Sequence, residues 1–154
     1  MTDNLTPTQR RHTMRRVRSN NTRPELAVRA ALRRLGQSGY RLHRKDIPGR
    51  PDIAFIGRKI AIFVHGCFWH GHNCRRGDRL PASNRAYWPQ KIERNKKRDA
   101  ANLAELQRRG WRTTIIWECR IKDAAWLHNE LAAVFDDKRR DDNSSAPQGD
   151  CKQP

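Results

Sequence analysis

Apolar side chains at Val28, Ala31, Leu32 and Leu35 keep the i, i+3, i+4, i+7 spacing that lines one face of a helix. Thr22 stands where an N-cap belongs, Pro24 falls in the first turn and Gly36 follows the last apolar position, so the predicted helix is bounded at both ends. The period then drops to two. Tyr40 to Lys45 alternates as a strand, Pro48-Gly-Arg-Pro51 turns, Asp52 to Ile56 reads as a second strand, Gly57-Arg-Lys59 turns again, and Ile60 to Val64 returns as the other arm of a hairpin. Residues 75–87 predict an irregular basic loop. A long helix follows from about Trp88 to Arg109, with Trp88, Ile92, Leu103 and Leu106 on its inner face and Gly110 at its end. Trp111 to Glu118 reads as a further buried strand, and Asp123 caps a last helix carrying Leu127, Leu131, Val134 and Phe135. The order helix, three strands, helix, strand, helix predicts an α/β domain with a mixed central sheet flanked by helices. Trp111, Trp117 and Trp126 are assigned to its core.

Length allows one such domain and a real core, but not two. Residues 1–22 read as a basic arm with no sustained apolar stripe, 23–135 as the folded domain, and 136–154, rich in Asp, Asn, Ser, Gln and Pro, as a disordered tail. Charge changes the picture most. Lys and Arg number 33 against 16 Asp and Glu, a formal charge of +17 carried by everything except the tail. A field of that size concentrates polyanions and makes their binding strongly salt-dependent, so nucleic acid is the expected partner. A ribosome-associated basic protein is the plainer alternative. The longest apolar run falls far short of the ~20 residues that span a bilayer, and the N-terminal residues do not read as a signal peptide. A monomer in the bacterial cytoplasm, near the nucleoid, is the expectation.

The chemistry is concentrated in His65-Gly-Cys-Phe-Trp-His-Gly-His-Asn-Cys74. Cysteines scattered at 67, 74, 119 and 151 make a poor disulfide framework and a better metal set. Cys67, Cys74 and Cys119, brought together by the sheet, supply three thiolates, with His72 or His70 as the fourth ligand of a closed structural zinc site. Asp52, at a strand start across the hairpin, is placed as nucleases place a Mg²⁺ carboxylate, with a main-chain carbonyl standing in for the missing second acid. His65 and the imidazole that zinc does not use can accept a proton. Glu25 either meets the dipole of its helix or reaches a metal-bound water. Asn95 and Asp99, four apart on the long helix, either line the cleft or stand in solvent. Phe68-Trp69, fixed between metal ligands, can wedge into a base stack, with Trp88 as a third plane; core packing is the ordinary alternative.

These stretches resemble the very short patch repair endonucleases, the bacterial Vsr family. The likeness is carried by Leu42 to Asp52 with Pro-Gly-Arg-Pro-Asp, by Phe63 to Cys74, by Trp88, Lys91, Ile92, Asn95, Arg98 and Asp99, and by Gly110-Trp-Arg through Ile116-Trp-Glu-Cys119; it covers about residues 8–135. It implies a restriction-endonuclease-like core in 23–135 and a hydrolase that nicks one DNA strand beside the T of a T:G mismatch, such as deaminated 5-methylcytosine leaves. Mismatch-repair proteins of the MutL type are implied as further partners. Carried over by position, Asp52 and the carbonyl of Val64 hold Mg²⁺, with His65, His70 and Glu25 assisting. Cys67, His72, Cys74 and Cys119 hold zinc. Phe68, Trp69 and Trp88 enter the stack, with Lys91 and Asn95 on the same helix as further contacts, and Met14 lies with the arm in the minor groove. Val64 stands where the resemblance calls for Thr, Gly71 interrupts a longer histidine run, and the tail has no counterpart. A zinc-stabilised DNA-binding module and a zinc hydrolase are the rivals.

Overall fold

The computed structural model describes residues 6–16, 20–82 and 85–136, with the side chains of residue 10 and residues 13–16 left aside. Most of the predicted tail, 137–154, and Cys151 with it, therefore lies outside the described residues. The elements run α1 (Pro7–Arg16), α2 (Arg23–Arg34), β1 (Arg41–Leu42), β2 (Ile53–Phe55), β3 (Ile60–His65), α3 (Tyr87–Arg108), β4 (Arg112–Trp117), a 3₁₀ turn (Glu118–Arg120) and α4 (Ala124–Phe135). The four strands form one mixed sheet in the order β1-β2-β3-β4, with β1/β2 and β2/β3 antiparallel and β3/β4 parallel.

Alternation along β3 builds two cores. Ile60 and Ile62 face one way and pack with Ile53 and Phe55 of β2, Val28 and Leu32 of α2, and Leu127, Leu131 and Val134 of α4. Ala61 and Phe63 face the other way and pack with Ala54, Ile47, Leu106 and Leu103 beneath α3. The sheet is thus a middle layer between α2/α4 and α3. Ile62, with no solvent exposure on the central strand, is the most exacting position. Ile62→Ala is expected to destabilise the protein by about 2–5 kcal/mol in denaturant titration, and a loss under about 1 kcal/mol would contradict this packing.

The helix ends follow the predicted chemistry. Thr22 caps α2 by accepting the Glu25 N–H, and Asp123 caps α4 by accepting the Trp126 N–H at 3.0 Å. Gly36, at φ 69°, takes the left-handed position just past α2.

Two expectations fail. The first predicted strand, Tyr40–Lys45, shrinks to Arg41–Leu42, because His43 turns to a left-handed φ of 49° and leaves the ladder. The basic arm contains a helix, α1, that the absence of an apolar stripe did not suggest. Its signal is a capping box: Gln9 N–H donates to Thr6 Oγ1 at 3.2 Å, Thr6 N–H donates to Gln9 Oε1 at 2.9 Å, and Pro7 follows the cap. Met14 lies on α1, but its side chain is outside the described ones.

Candidate functional site

Asp52 precedes β2, and the antiparallel register pairing Ile53 with Ile62 sets it beside the end of β3. Its Oδ2 accepts the Val64 N–H at 2.7 Å. The N–H and C=O of one strand residue point the same way, so the Val64 carbonyl is directed to the Asp52 side as well, beyond the last residues paired between the two strands. Burial pushes the Asp52 carboxyl above the usual range; the Val64 N–H pulls it down and the neighbouring Glu25 carboxylate pushes it up again. A carboxylate held in this way gains from a cation.

Glu25 comes from the first turn of α2 and is buried. Its oxygens accept the Asn21 N–H at 2.9 Å and the Thr22 hydroxyl at 3.1 Å, so the helix cap also fixes its direction. Between Glu25 and Asp52 stands His43, with Nε2 3.3 Å from Glu25 Oε2 and Nδ1 3.8 Å from Asp52 Oδ1. Glu25, His43 and Asp52 offer three ligand atoms within 4.8 Å of one another. The sequence reading missed His43. Its contact depends on the left-handed turn after Leu42, for which Arg41-Leu42-His43-Arg44 carries no glycine or asparagine signal.

On the α3 side of the sheet, His65 continues the Ala61, Phe63 face and is buried. Its ring stacks on His70, centroids 3.7 Å apart and planes 6° from parallel. Burial and the neighbouring His70 draw the His65 imidazole down to about 3, so it is neutral at physiological pH. His70 Nδ1 lies 2.5 Å from Asp99 Oδ2 on α3. Burial alone would raise the Asp99 carboxyl, but the His70 hydrogen bond and charge hold it below its ordinary value. Of the two readings of Asp99, the cleft-lining one is the observed one.

The loop after β3 is folded onto α3. Gly71, at φ 61°, comes so close to that helix that a Cβ there would meet Lys96 Cε at 2.4 Å and Ile92 Cγ2 at 2.6 Å. Asn95 Nδ2 donates to the Trp69 carbonyl at 2.8 Å, so Asn95 holds the loop's backbone. Cys67, His72, Cys74 and Cys119 offer ligand atoms that all lie within 4.8 Å of one another, with Cys119 Sγ 3.5 Å from His72 Nδ1. Zinc bonds of ~2.0–2.3 Å give a tetrahedron whose edges are just under ~4 Å, so this set needs only a slight contraction to close. Burial raises the Cys67 thiol, whereas at Cys74 burial is outweighed by the Gly77 and Arg76 N–H groups together with hydrogen bonds to Cys67 and Cys119, which lower it. No disulfide joins the three. His72, not His70, completes the cluster; His70 stands with His65 and Asp99. Trp117 departs from its expected core role. Its ring stacks on His72 at 4.2 Å and meets His65 edge-on at 5.3 Å, which places it between the thiol cluster and the imidazole pair.

Phe68, Trp69 and Trp88 form an edge-to-face cluster with centroids 5.1–5.9 Å apart. Lys91 Nζ lies over Trp69 at 5.4 Å, over Tyr87 at 5.6 Å and over Trp88 at 5.7 Å. Tyr87, 46% exposed, extends this cluster and was not singled out from the sequence. Part of this assembly borders an open cleft of about 1380 Å³. Glu25, Asp52, Val64, His65, Trp69, His70 and Asp99 line it, together with the cations Arg23, Lys45, Arg50, Arg76, Arg98 and Lys122. A trough with a carboxylate and imidazoles among so many cations suits a phosphodiester backbone.

Residues 2–76 match the family model described as DNA mismatch endonuclease Vsr. The type II nicking enzyme V.XorIIP of Xanthomonas oryzae pv. oryzae is 51% identical over 136 residues, which cover 88% of this chain and 98% of the relative. The type II nicking enzyme V.NmeAIP of Neisseria meningitidis is 40% identical, covering 85% of this chain and 92% of the relative. DNA mismatch endonuclease Vsr of Escherichia coli is 35% identical, covering 76% and 74% respectively. No described helix is long and apolar enough to cross a membrane. The chain belongs to the Vsr family of DNA mismatch endonucleases and is a DNA endonuclease.

Proposed function

We propose that this endonuclease acts as a monomer on a T:G mismatch in double-stranded DNA, nicking one strand beside the T, with Mg²⁺ at Asp52 and zinc at the Cys67, His72, Cys74, Cys119 cluster. The observation that carries the reading is the separation of two donor sets on one strand end. An oxygen-bearing site at Asp52 and Val64 faces a cationic cleft, while a thiolate-rich site joins the loop after β3 to the turn after β4. Hard Mg²⁺ favours the first and zinc the second. Mg²⁺ there supplies a more acidic water and offsets charge at the scissile phosphate. The three-layer arrangement with an antiparallel hairpin bearing Asp52 supports a restriction-endonuclease-like core.

The protein's own groups divide the remaining work. Asp52 and the Val64 carbonyl provide the cation's ligands, and Glu25, directed by the Asn21 and Thr22 hydrogen bonds, presents a carboxylate beside them. Asp99 fixes one ring nitrogen of His70, leaving the other to take or return a proton at the phosphate. His65 stays uncharged and supports the His70 ring by stacking. Phe68, Trp69 and Trp88 form the wedge that tests the stack, where a mismatched step opens at lower cost than a paired one. Lys91 lies against the wedge, Asn95 holds its loop, and Met14 travels with the arm toward the minor groove.

The test is a strand-resolved cleavage assay on matched T:G and C:G duplexes, with and without Mg²⁺. A single-strand nick in the T:G duplex, dependent on Mg²⁺, is the expected result. Equal cleavage of C:G, or activity unchanged by removing Mg²⁺, overturns the respective part of the reading.

A further inference from the structure

The reading of Asp52 as a cation ligand assigns no role to His43, and this inference rests on that reading. His43 lies behind the two carboxylates that face the cleft, with its side chain only 15% exposed. Nε2 is buried and forms no hydrogen bond, although Glu25 Oε2 is 3.3 Å away: the oxygen lies off the direction in which that nitrogen donates. A buried ring nitrogen beside the Glu25 carboxylate, on a ring whose other nitrogen lies 3.8 Å from Asp52, is without a hydrogen bond and is an unsatisfied polar atom that needs an explanation. The backbone adds to the puzzle. A histidine at φ 49° sits in a sparsely populated region, held there by its N–H to the Asp52 carbonyl at 3.3 Å.

We propose that His43 brings a nitrogen donor to the Asp52 cation site, making Glu25, His43 and Asp52 a mixed N,O site that favours Mn²⁺ and related transition-metal ions over Mg²⁺. Their three ligand atoms lie within 4.8 Å of one another. An all-oxygen pocket with several waters suits Mg²⁺, which gains little from nitrogen. An imidazole shifts the balance toward first-row transition metals, whose bonds to nitrogen are stronger. The site is chemically distinct from the thiol cluster. Soft thiolates retain zinc, so in zinc-replete protein added Mn²⁺ reports on the Asp52 pocket or on the His65, His70, Asp99 group, and Asp52→Asn tells the two apart.

The experiment titrates zinc-replete protein with Mn²⁺ by electron paramagnetic resonance, with Mg²⁺ as competitor, and records the electron spin-echo modulation of the bound ion. Wild type, His43→Gln and Asp52→Asn are compared, each checked for an intact thermal transition. The expected result is ¹⁴N modulation in wild type that disappears in His43→Gln. Mn²⁺ affinity in that variant falls about tenfold while Mg²⁺ competition changes by less than about threefold. Asp52→Asn is expected to lose the bound Mn²⁺. If His43→Gln binds Mn²⁺ as wild type does, with the same modulation, while Asp52→Asn does not, His43 is not a donor and the reading of Asp52 stands. If Asp52→Asn also binds as wild type does, the ion lies elsewhere and both are overturned.

Discussion

Asp52→Asn is expected to slow nicking by about a thousandfold or more while leaving DNA affinity equal to or above that of wild type. The substitution keeps the shape and an oxygen to accept the Val64 N–H, but removes the charge that attracts the cation. The cations lining the cleft are expected to supply the affinity for DNA, which loss of a negative charge among them does not weaken. Stability separates this outcome from damage to the fold. The Asp52 carboxyl lies above its ordinary range in the folded protein, so its ionised form is disfavoured by folding. The sign follows directly: stability falls as pH rises from the ordinary carboxylate range through the raised folded value, and above that value the penalty is fully present. Asn removes it, so the metal-free variant is expected to melt at the same temperature as wild type or higher. Turnover near the wild-type rate sinks the assignment of Asp52; lost activity with a lowered melting temperature assigns the effect to the fold.

Much of the arrangement around Asp52 was legible in the sequence, for reasons that differ by element. The period-3.6 stripe Val28 to Leu35, with Thr22 and Gly36 at its ends, marked α2 because capping and burial act locally. The hairpin followed from two turn signals and from strand length, and with it the placement of Asp52 against β3. The thiol set followed from ligand chemistry, although the choice between His72 and His70 depended on loop geometry that only Gly71's close approach to α3 explains. What remained illegible is what long-range packing decides. His43 required a left-handed residue with no glycine to announce it, and Trp117 required knowing that β4 runs beside β3 in parallel, pairing it with His65. The contact between Asp99 and His70 crosses from helix to loop, and spacing alone left Asp99 equally suited to solvent. The capping box of α1 was legible but was outweighed by the missing apolar stripe.

Trp117 also relates the thiol cluster to the imidazole pair. Its ring touches His72 of the thiol cluster on one side and His65 on the other, and His65 stacks on His70. A change at the Cys67, His72, Cys74, Cys119 cluster is therefore expected to be transmitted by packed rings to His70, and the same loop carries Phe68 and Trp69.

Cys119→Ala is accordingly expected to fail differently from Asp52→Asn. Cys119 is the one member of the cluster outside the loop, on the 3₁₀ turn after β4, so it ties residues 67–74 to the end of the neighbouring strand. Without it three ligands remain, and zinc content is expected to fall well below about one ion per chain. Structural zinc contributes directly to folding free energy, and a loss of about 3 kcal/mol corresponds to roughly 10 °C in melting temperature for a chain of this size. DNA binding and nicking are expected to fall together, because the wedge and His70 ride on the released loop. Cys119→His, which converts the set to two thiolates and two imidazoles, is expected to recover part of the zinc content and part of the melting temperature, since that donor set also closes a tetrahedron. Zinc content, melting temperature, duplex affinity and nicking rate measured on the same preparations decide the matter. A Cys119→Ala protein that keeps its metal and its melting temperature leaves the cluster as buried thiols beside a histidine, and the loop would then owe its shape to Gly71, Asn95 and α3 alone.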